Sequence, residues 1–257
     1  MKANKSLGQN FLQDRNIISK IVESIDLTKN DLVIEIGPGQ GALTKALKEK
    51  GVQLLAFEID ERMHEFLDLL EDRNTKVIYG DILNVDLKEY LGEKKFNKLY
   101  VIANLPYYIT TPIIEKLLNY NTKFDSMVVM VQNEVADRFS AKCGTKDYGY
   151  MTVLINAFYE AKKLFIVKNT CFKPVPKVDS AVVKFDLKND ANKLLNVDKF
   201  KNLVSLSFAH KRKTLKNNLP KDIWDKVEKY LIEKNINLDV RAEGLSVDNF
   251  IDISNLI

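Results

Sequence analysis

Four stretches of this chain place residues that can grip or turn around a ligand directly after apolar runs. The first, Glu35-Ile36-Gly37-Pro38-Gly39-Gln40-Gly41, has the glycines a backbone needs to turn tightly and let a ligand approach its amides. It lacks the Gly-Lys-Ser/Thr of a phosphate loop, and its third glycine comes one residue too early for the dinucleotide fingerprint. The second run ends at Glu58, whose carboxylate can accept from both hydroxyls of a ribose. The third ends at Gly80-Asp81, where an acid can accept from an adenine amino group. The fourth ends at Asn104-Leu105-Pro106-Tyr107. An exocyclic adenine amine is a poor nucleophile because its lone pair is delocalised into the ring. An Asn oxygen and a neighbouring backbone carbonyl can accept its two hydrogens and turn that lone pair toward an electrophile. Pro106 fixes the turn and the Tyr107 ring offers a stacking face. Taken singly, these read as a structural tight turn, two helix caps and a strand-end turn. Four in succession at corresponding strand ends describe a ligand crevice.

The elements that must hold these residues are legible as well. LVIEI (32 to 36), QLLAFEI (53 to 59), KVIYGD (76 to 81), LYVIAN (99 to 104) and SMVVMV (126 to 131) are nearly continuous in apolar character, as strands buried on both faces of a parallel sheet are. Between them lie helical patterns. One covers Ala42 to Lys50 and stops at Gly51. Another is capped by Asp60, with Met63, Phe66, Leu67 and Leu70 as its stripe. A third has Thr111 as N-cap, Pro112 at the first helical position, and Ile113, Ile114, Leu117 and Leu118 behind. KLFIV (163 to 167) and AVVKFDL (181 to 187) are expected to close the sheet antiparallel. The fold class is therefore α/β, a Rossmann-like doubly wound sheet over residues 1–189. The chain turns polar around KNDANK (188 to 193), and residues 190–257 are expected to form a small helical domain.

With 46% hydrophobic and 29% charged residues, disorder and collagen-like repeats are excluded. No run approaches the roughly 18 apolar residues of a transmembrane helix, and the start MKANKSLGQNFLQDR has no signal-peptide core, so a cytoplasmic protein with no membrane partner is expected. Cys143 and Cys171 form no C-x-x-C pair, and neither His64 nor His210 has a partner at metal spacing, so no metal is expected. The net charge of +4 is too small to establish a nucleic-acid partner, but its distribution is uneven. Lys199, Lys201, Lys211, Arg212, Lys213, Lys216 and Lys221 fall in a stretch without a single acid, which suits phosphate.

The chain resembles the ribosomal RNA small-subunit adenine dimethyltransferases. The resemblance is carried by LGQNFL (7 to 12), IEIGPGQG (34 to 41), FEID (57 to 60), GDIL (80 to 83), NLPYYITTP (104 to 112), FKPVPKVDSAVV (172 to 183), SFAHKRKTLKNNL (207 to 219) and RAEGLS (241 to 246), which span nearly the whole chain in order. It implies a class I methyltransferase fold with a seven-stranded sheet, S-adenosylmethionine as cofactor, and a role in ribosome biogenesis. The implied substrate is the pair of adjacent adenines near the 3′ end of 16S ribosomal RNA in the small subunit, methylated by a monomeric enzyme. Asn10 and Leu12 would belong to a segment closing on the cofactor, with Gly37 against its methionine part, Glu58 on the ribose and Asp81 on the adenine. Asn104 and the Leu105 carbonyl would hold the target amine, Asn104 also counting among the cofactor-binding residues, and Tyr107 and Phe172 would sandwich the flipped base. Phe172 on its own reads as core packing, although the Lys173-Pro174-Val175-Pro176 stretch is stiff enough to hold an aromatic outward. Lys211, Arg212, Lys213 and Lys216 would contact RNA. Tyr108 and Thr110 stand where the familiar bacterial pattern has Asn and Ser.

Other readings share parts of this pattern. A large-subunit (23S) adenine methyltransferase of the macrolide-resistance type usually has Ile where this chain has Leu105. A DNA adenine methyltransferase would need a separate recognition domain. A non-catalytic small-subunit assembly factor would need only the binding surface. A nicotinamide oxidoreductase leaves Asn104-Leu105-Pro106-Tyr107 unexplained.

Overall fold

The computed structural model describes residues 4, 7–92, 94–119, 123–189 and 194–257, and all structural statements concern these. Nine strands run in chain order: β1 (Phe11–Leu12), β2 (Leu32–Ile36), β3 (Gln53–Glu58), β4 (Thr75–Tyr79), β5 (Leu99–Asn104), β6 (Ser126–Gln132), β7 (Tyr159–Val167), β8 (Phe172–Lys173) and β9 (Ser180–Leu187). Seven form one sheet in the order β4-β3-β2-β5-β6-β9-β7. The strands from β4 to β6 are parallel, and β9 runs antiparallel to β6. Every residue of β2 is buried, as a strand covered on both faces requires. The sequence reversal between β2 and β5 makes their adjacent carboxyl ends a topological switch point, where open α/β sheets bind ligands.

The helices are α1 (Arg15–Val22), α2 (Ala42–Glu49), α3 (His64–Leu67), α4 (Lys88–Leu91), α5 (Thr110–Asn119), α6 (Asn133–Phe139), α7 (Tyr150–Asn156), α8 (Val197–Phe208), α9 (Leu215–Asn218), α10 (Lys221–Glu233) and α11 (Val247–Leu256). The α2 helix ends as expected, with Gly51 left-handed at φ 74°. Asp60 caps as expected, but it opens one turn of α-helix between two tighter turns rather than a continuous helix. The α5 helix starts at Thr110, one residue before the expected cap. A tight turn over Tyr107–Ile109 leads into it, and Thr110 Oγ1 donates to the Pro106 carbonyl at 3.1 Å. Pro112 still falls in the first turn, where its missing N–H goes unneeded.

The chain forms two compact units, Met1–Ala136 with Lys162–Asp186, and Asp137–Ala161 with Leu187–Ile257. This departs from a single boundary near residue 190, a position that lies outside the described residues. The physical reason is aromatic packing within the second unit: Tyr148, just before α7, meets the Phe208 ring at 6.2 Å, and Phe208 meets Phe250 at 5.8 Å. Between Leu203 and Leu215 the helical course is interrupted, giving α8 and α9 as separate helices. Trp224 is buried in the second unit, as core. Among the described residues no helix is long and apolar enough to cross a membrane, and no cluster of His, Cys, Asp and Glu could hold a metal.

Candidate functional site

Parallel pairing in matched register brings the ends of β2, β3 and β5 to one edge, since Ile36 lies opposite both Phe57 and Ala103. Gly37, Glu58 and Asn104 thereby become neighbours although the sequence separates them widely. The edge opens into a cavity of about 700 Å³, the size of a cofactor site. Its lining includes Asn10, Leu12, Gly37, Glu58, Asp81, Asn104, Leu105, Pro106 and Tyr107, so ten of the eleven expected site positions in the first unit, counting Asn104 for both of its roles, converge there.

The glycine turn is shaped by close approach. Gly39 has φ +57°, and a Cβ there would sit 3.0 Å from the Phe11 ring, so the N-terminal segment lies directly over the turn. Gly37, at φ +69°, donates its amide to Phe57 O at 2.9 Å. Glu58 is buried, and both of its oxygens are held: Oε2 accepts from Gly39 N and Oε1 from Asp60 N, each at 2.9 Å. Burial raises its pKa, and the two amides pull the other way. The carboxylate is thus locked in one rotamer with its remaining lone pairs available to a diol. Asp81 accepts from Leu83 N at 2.9 Å, and Lys116 of α5 donates to the Leu83 and Val85 carbonyls at 2.9 and 2.7 Å, pinning this loop. Ile59, 41% exposed, and Ile82 give the same cavity an apolar lining for a flat ring.

On the other side, Asn104 Nδ2 donates to the Asn10 carbonyl at 3.2 Å, which leaves Oδ1 as the acceptor. Leu105 is buried and its N–H is taken by Met130 O at 3.1 Å. Tyr107 is half-buried, burial raises its pKa, and its hydroxyl shares a 2.6 Å hydrogen bond with Ser180 Oγ. The N-terminal segment is tied down further by Gln9 Nε2, which donates to Asp60 Oδ2 at 2.7 Å. Asp60 also pairs with Arg62, which holds its carboxyl down at about 2.

Phe172 departs from the expected placement. It is 3% exposed, pairs with Leu12 across β1 and β8, joins the hydrophobic core, and does not line the cavity. The cause is the short β1–β8 ladder, which turns the ring inward rather than out over the loop. Lys211, Arg212, Lys213 and Lys216 are exposed in the second unit, and Lys211 donates to the Lys146 carbonyl at 2.5 Å. Sequence reasoning gave no role to Phe11, Gln9, Lys116 or Ser180. All four act through partners remote in sequence, which no local spacing reveals.

Comparison with known proteins decides what this edge belongs to. The family model described as ribosomal RNA adenine dimethylase matches residues 1–257. The chain belongs to that family. It is 44% identical to the ribosomal RNA small subunit methyltransferase A of Streptococcus gordonii, over 98% of this chain and 91% of the relative. The protein of that name in Listeria monocytogenes is also 44% identical, covering 98% and 90%. A dimethyladenosine transferase structure from Plasmodium falciparum superposes with TM-score 0.78 at 26% identity, covering 95% of each chain. The 23S rRNA methyltransferase ErmE gives TM-score 0.67 at 25% identity, covering 96% and 98%. As a member of the dimethylase family the chain is an S-adenosylmethionine-dependent methyltransferase. The residues present fit that cofactor: glycines whose close quarters leave little room for a Cβ at Gly39, an acceptor carboxylate at Glu58, and apolar Ile59 and Ile82 line the same cavity.

Proposed function

We propose that this enzyme dimethylates the 6-amino groups of the two adjacent adenines near the 3′ end of 16S ribosomal RNA, on the small subunit, as a monomeric cytoplasmic protein acting in ribosome biogenesis. The observation that carries the reading is the orientation of Asn104. With Nδ2 engaged by the Asn10 carbonyl, Oδ1 is the atom presented to an incoming amine. When bound, S-adenosylmethionine supplies an electrophilic methyl group. The protein aligns the nucleophile and preorganises its acceptors. Asn104 Oδ1 and the Leu105 carbonyl accept the amine hydrogens and keep the nitrogen lone pair directed into the cavity. Tyr107 supplies the stacking face for a base flipped out of its helix. Gly37, Glu58 and Asp81 hold the cofactor, with Asn10 and Leu12 in the segment that covers it. Phe172, paired with Leu12 across the β1–β8 ladder, supports that segment in this arrangement. Lys211, Arg212, Lys213 and Lys216 are assigned to phosphate contacts, which makes RNA binding salt-sensitive.

The small subunit is favoured over the large because the relatives at 44% identity carry the small-subunit name, whereas the large-subunit enzyme stands at 25%. The test incubates the protein with radiolabelled S-adenosylmethionine and, in parallel, undermethylated small subunits, naked RNA and large subunits. Nucleosides are then identified by mass. Dimethyladenosine in the small-subunit sample alone is expected; label on large-subunit RNA would overturn the substrate assignment.

A further inference from the structure

The ring of Tyr107 has a task in this reading, but its hydroxyl has none. That hydroxyl is nonetheless bonded at 2.6 Å to Ser180 Oγ, a fully buried group. Ser180 opens β9 and pairs in register with Gln132 at the end of β6, so the sheet fixes its backbone. The preceding residue is clamped as well: Asp179 accepts from Asn169 N at 3.0 Å and Lys168 Nζ at 2.8 Å, and its carbonyl accepts from Asn133 N at 3.0 Å. A tyrosine side chain rotates about two torsions, and a bond at its far end removes both freedoms. The Tyr107 ring is therefore held at Cα by the turn after Pro106 and at Oη by the sheet.

We infer that Ser180 is a positioning residue that fixes the Tyr107 ring as a preformed stacking face for the target base. This rests on the reading that Tyr107 stacks on that base. Without the anchor, the ring must be ordered each time a base enters, and that entropy is charged to base-bound states. Ser180 does not line the cavity, so cofactor binding is insulated from its loss.

The test compares Ser180→Ala, Tyr107→Phe, their double variant and Tyr107→Ala in the full chain. It measures kcat and KM for small-subunit RNA, the S-adenosylmethionine dissociation constant, and fluorescence of RNA carrying 2-aminopurine at the target position. Ser180→Ala and Tyr107→Phe should each lower kcat/KM about 10-fold, with the double variant no worse than either. Both should weaken the 2-aminopurine response and leave cofactor affinity unchanged. Losses that multiply, or a Ser180→Ala enzyme that melts earlier yet turns over normally, would overturn the positioning role. If Tyr107→Ala keeps full turnover, the stacking reading itself falls.

Discussion

The two walls of the cavity are built by different means. On the cofactor wall, backbone does the holding: Glu58 accepts from two main-chain amides, and Gly37 donates to a carbonyl of the adjacent strand. On the base wall, side chains do it: Asn104 is oriented by Asn10, 94 positions away, and Tyr107 by Ser180, 73 positions away. Backbone geometry is shared by any sequence that adopts the sheet, so the first wall can serve many methyl acceptors. The second wall needs specific side chains at specific distances, and there an acceptor is chosen. Substitutions on the base wall should therefore damage turnover with cofactor binding intact, while those on the cofactor wall should do the reverse.

The sharpest division is expected at Asn104. Asn104→Ala removes the acceptor for the amine while leaving Glu58, Gly37 and Asp81 in place. Methyl transfer should fall by about 10²–10³-fold, comparable to deleting a preorganised hydrogen-bonding group in other enzymes. Calorimetric titration with S-adenosylmethionine should give near-native affinity. Retained turnover would remove Asn104 from the mechanism, and lost cofactor affinity would show that the walls are not separable.

The cofactor wall also conceals an acid. Glu35, on strand β2, is 1% exposed, with Thr44 beside its carboxyl group. Burial pushes its pKa up from 4.5 to about 8, with the Thr44 hydroxyl pulling the other way and the Glu58 charge adding to the rise. The folded protein thus holds a proton that the unfolded chain releases near 4.5. The resulting stability is fully present below that pH and drains away as pH rises toward 8. Glu35→Gln, neutral at every pH, should flatten this dependence and be the more stable form at pH 8.5, by an amount on the order of a few kcal/mol. Thermal melts of both proteins from pH 5 to 9 measure it. Parallel curves would show that Glu35 ionises without penalty.

The difference between the walls also explains what the sequence disclosed. Gly37, Glu58, Asp81 and Asn104 each follow an apolar run, so parallel pairing alone suffices to align them. The five parallel strands were legible for the same reason, since each is nearly continuous in apolar character, whereas β7 begins at Tyr159, four residues before the expected KLFIV. Ser180 sat in plain view within FKPVPKVDSAVV, but nothing local says that its hydroxyl reaches a tyrosine on another loop. Phe172 was misplaced because its fate depends on a two-residue ladder with β1, too short to leave a periodic pattern. Asp137–Ala161 carries ordinary helical and strand signals, and contacts remote in sequence, such as Tyr148 with Phe208 and Gly144 N with the Glu243 carbonyl, draw it into the second unit.

The smallest effect expected is at Gly39, where the comparison is most exposed to failure. An alanine there must adopt φ near +57°, which costs roughly 1–2 kcal/mol for a residue with a Cβ. Its methyl also meets the Phe11 ring at 3.0 Å, so the N-terminal segment must lift slightly from the glycine turn. That movement is felt by Glu58, which takes a hydrogen bond from the Gly39 amide, and so the ribose contact loosens. Gly39→Ala should weaken S-adenosylmethionine binding about 10-fold and leave kcat at saturating cofactor close to native, as loss of uniform binding does. The lifted segment also carries Asn10, whose carbonyl orients Asn104. If kcat falls along with affinity, the strap between the walls transmits the disturbance, and the backbone wall helps to aim the catalytic amide.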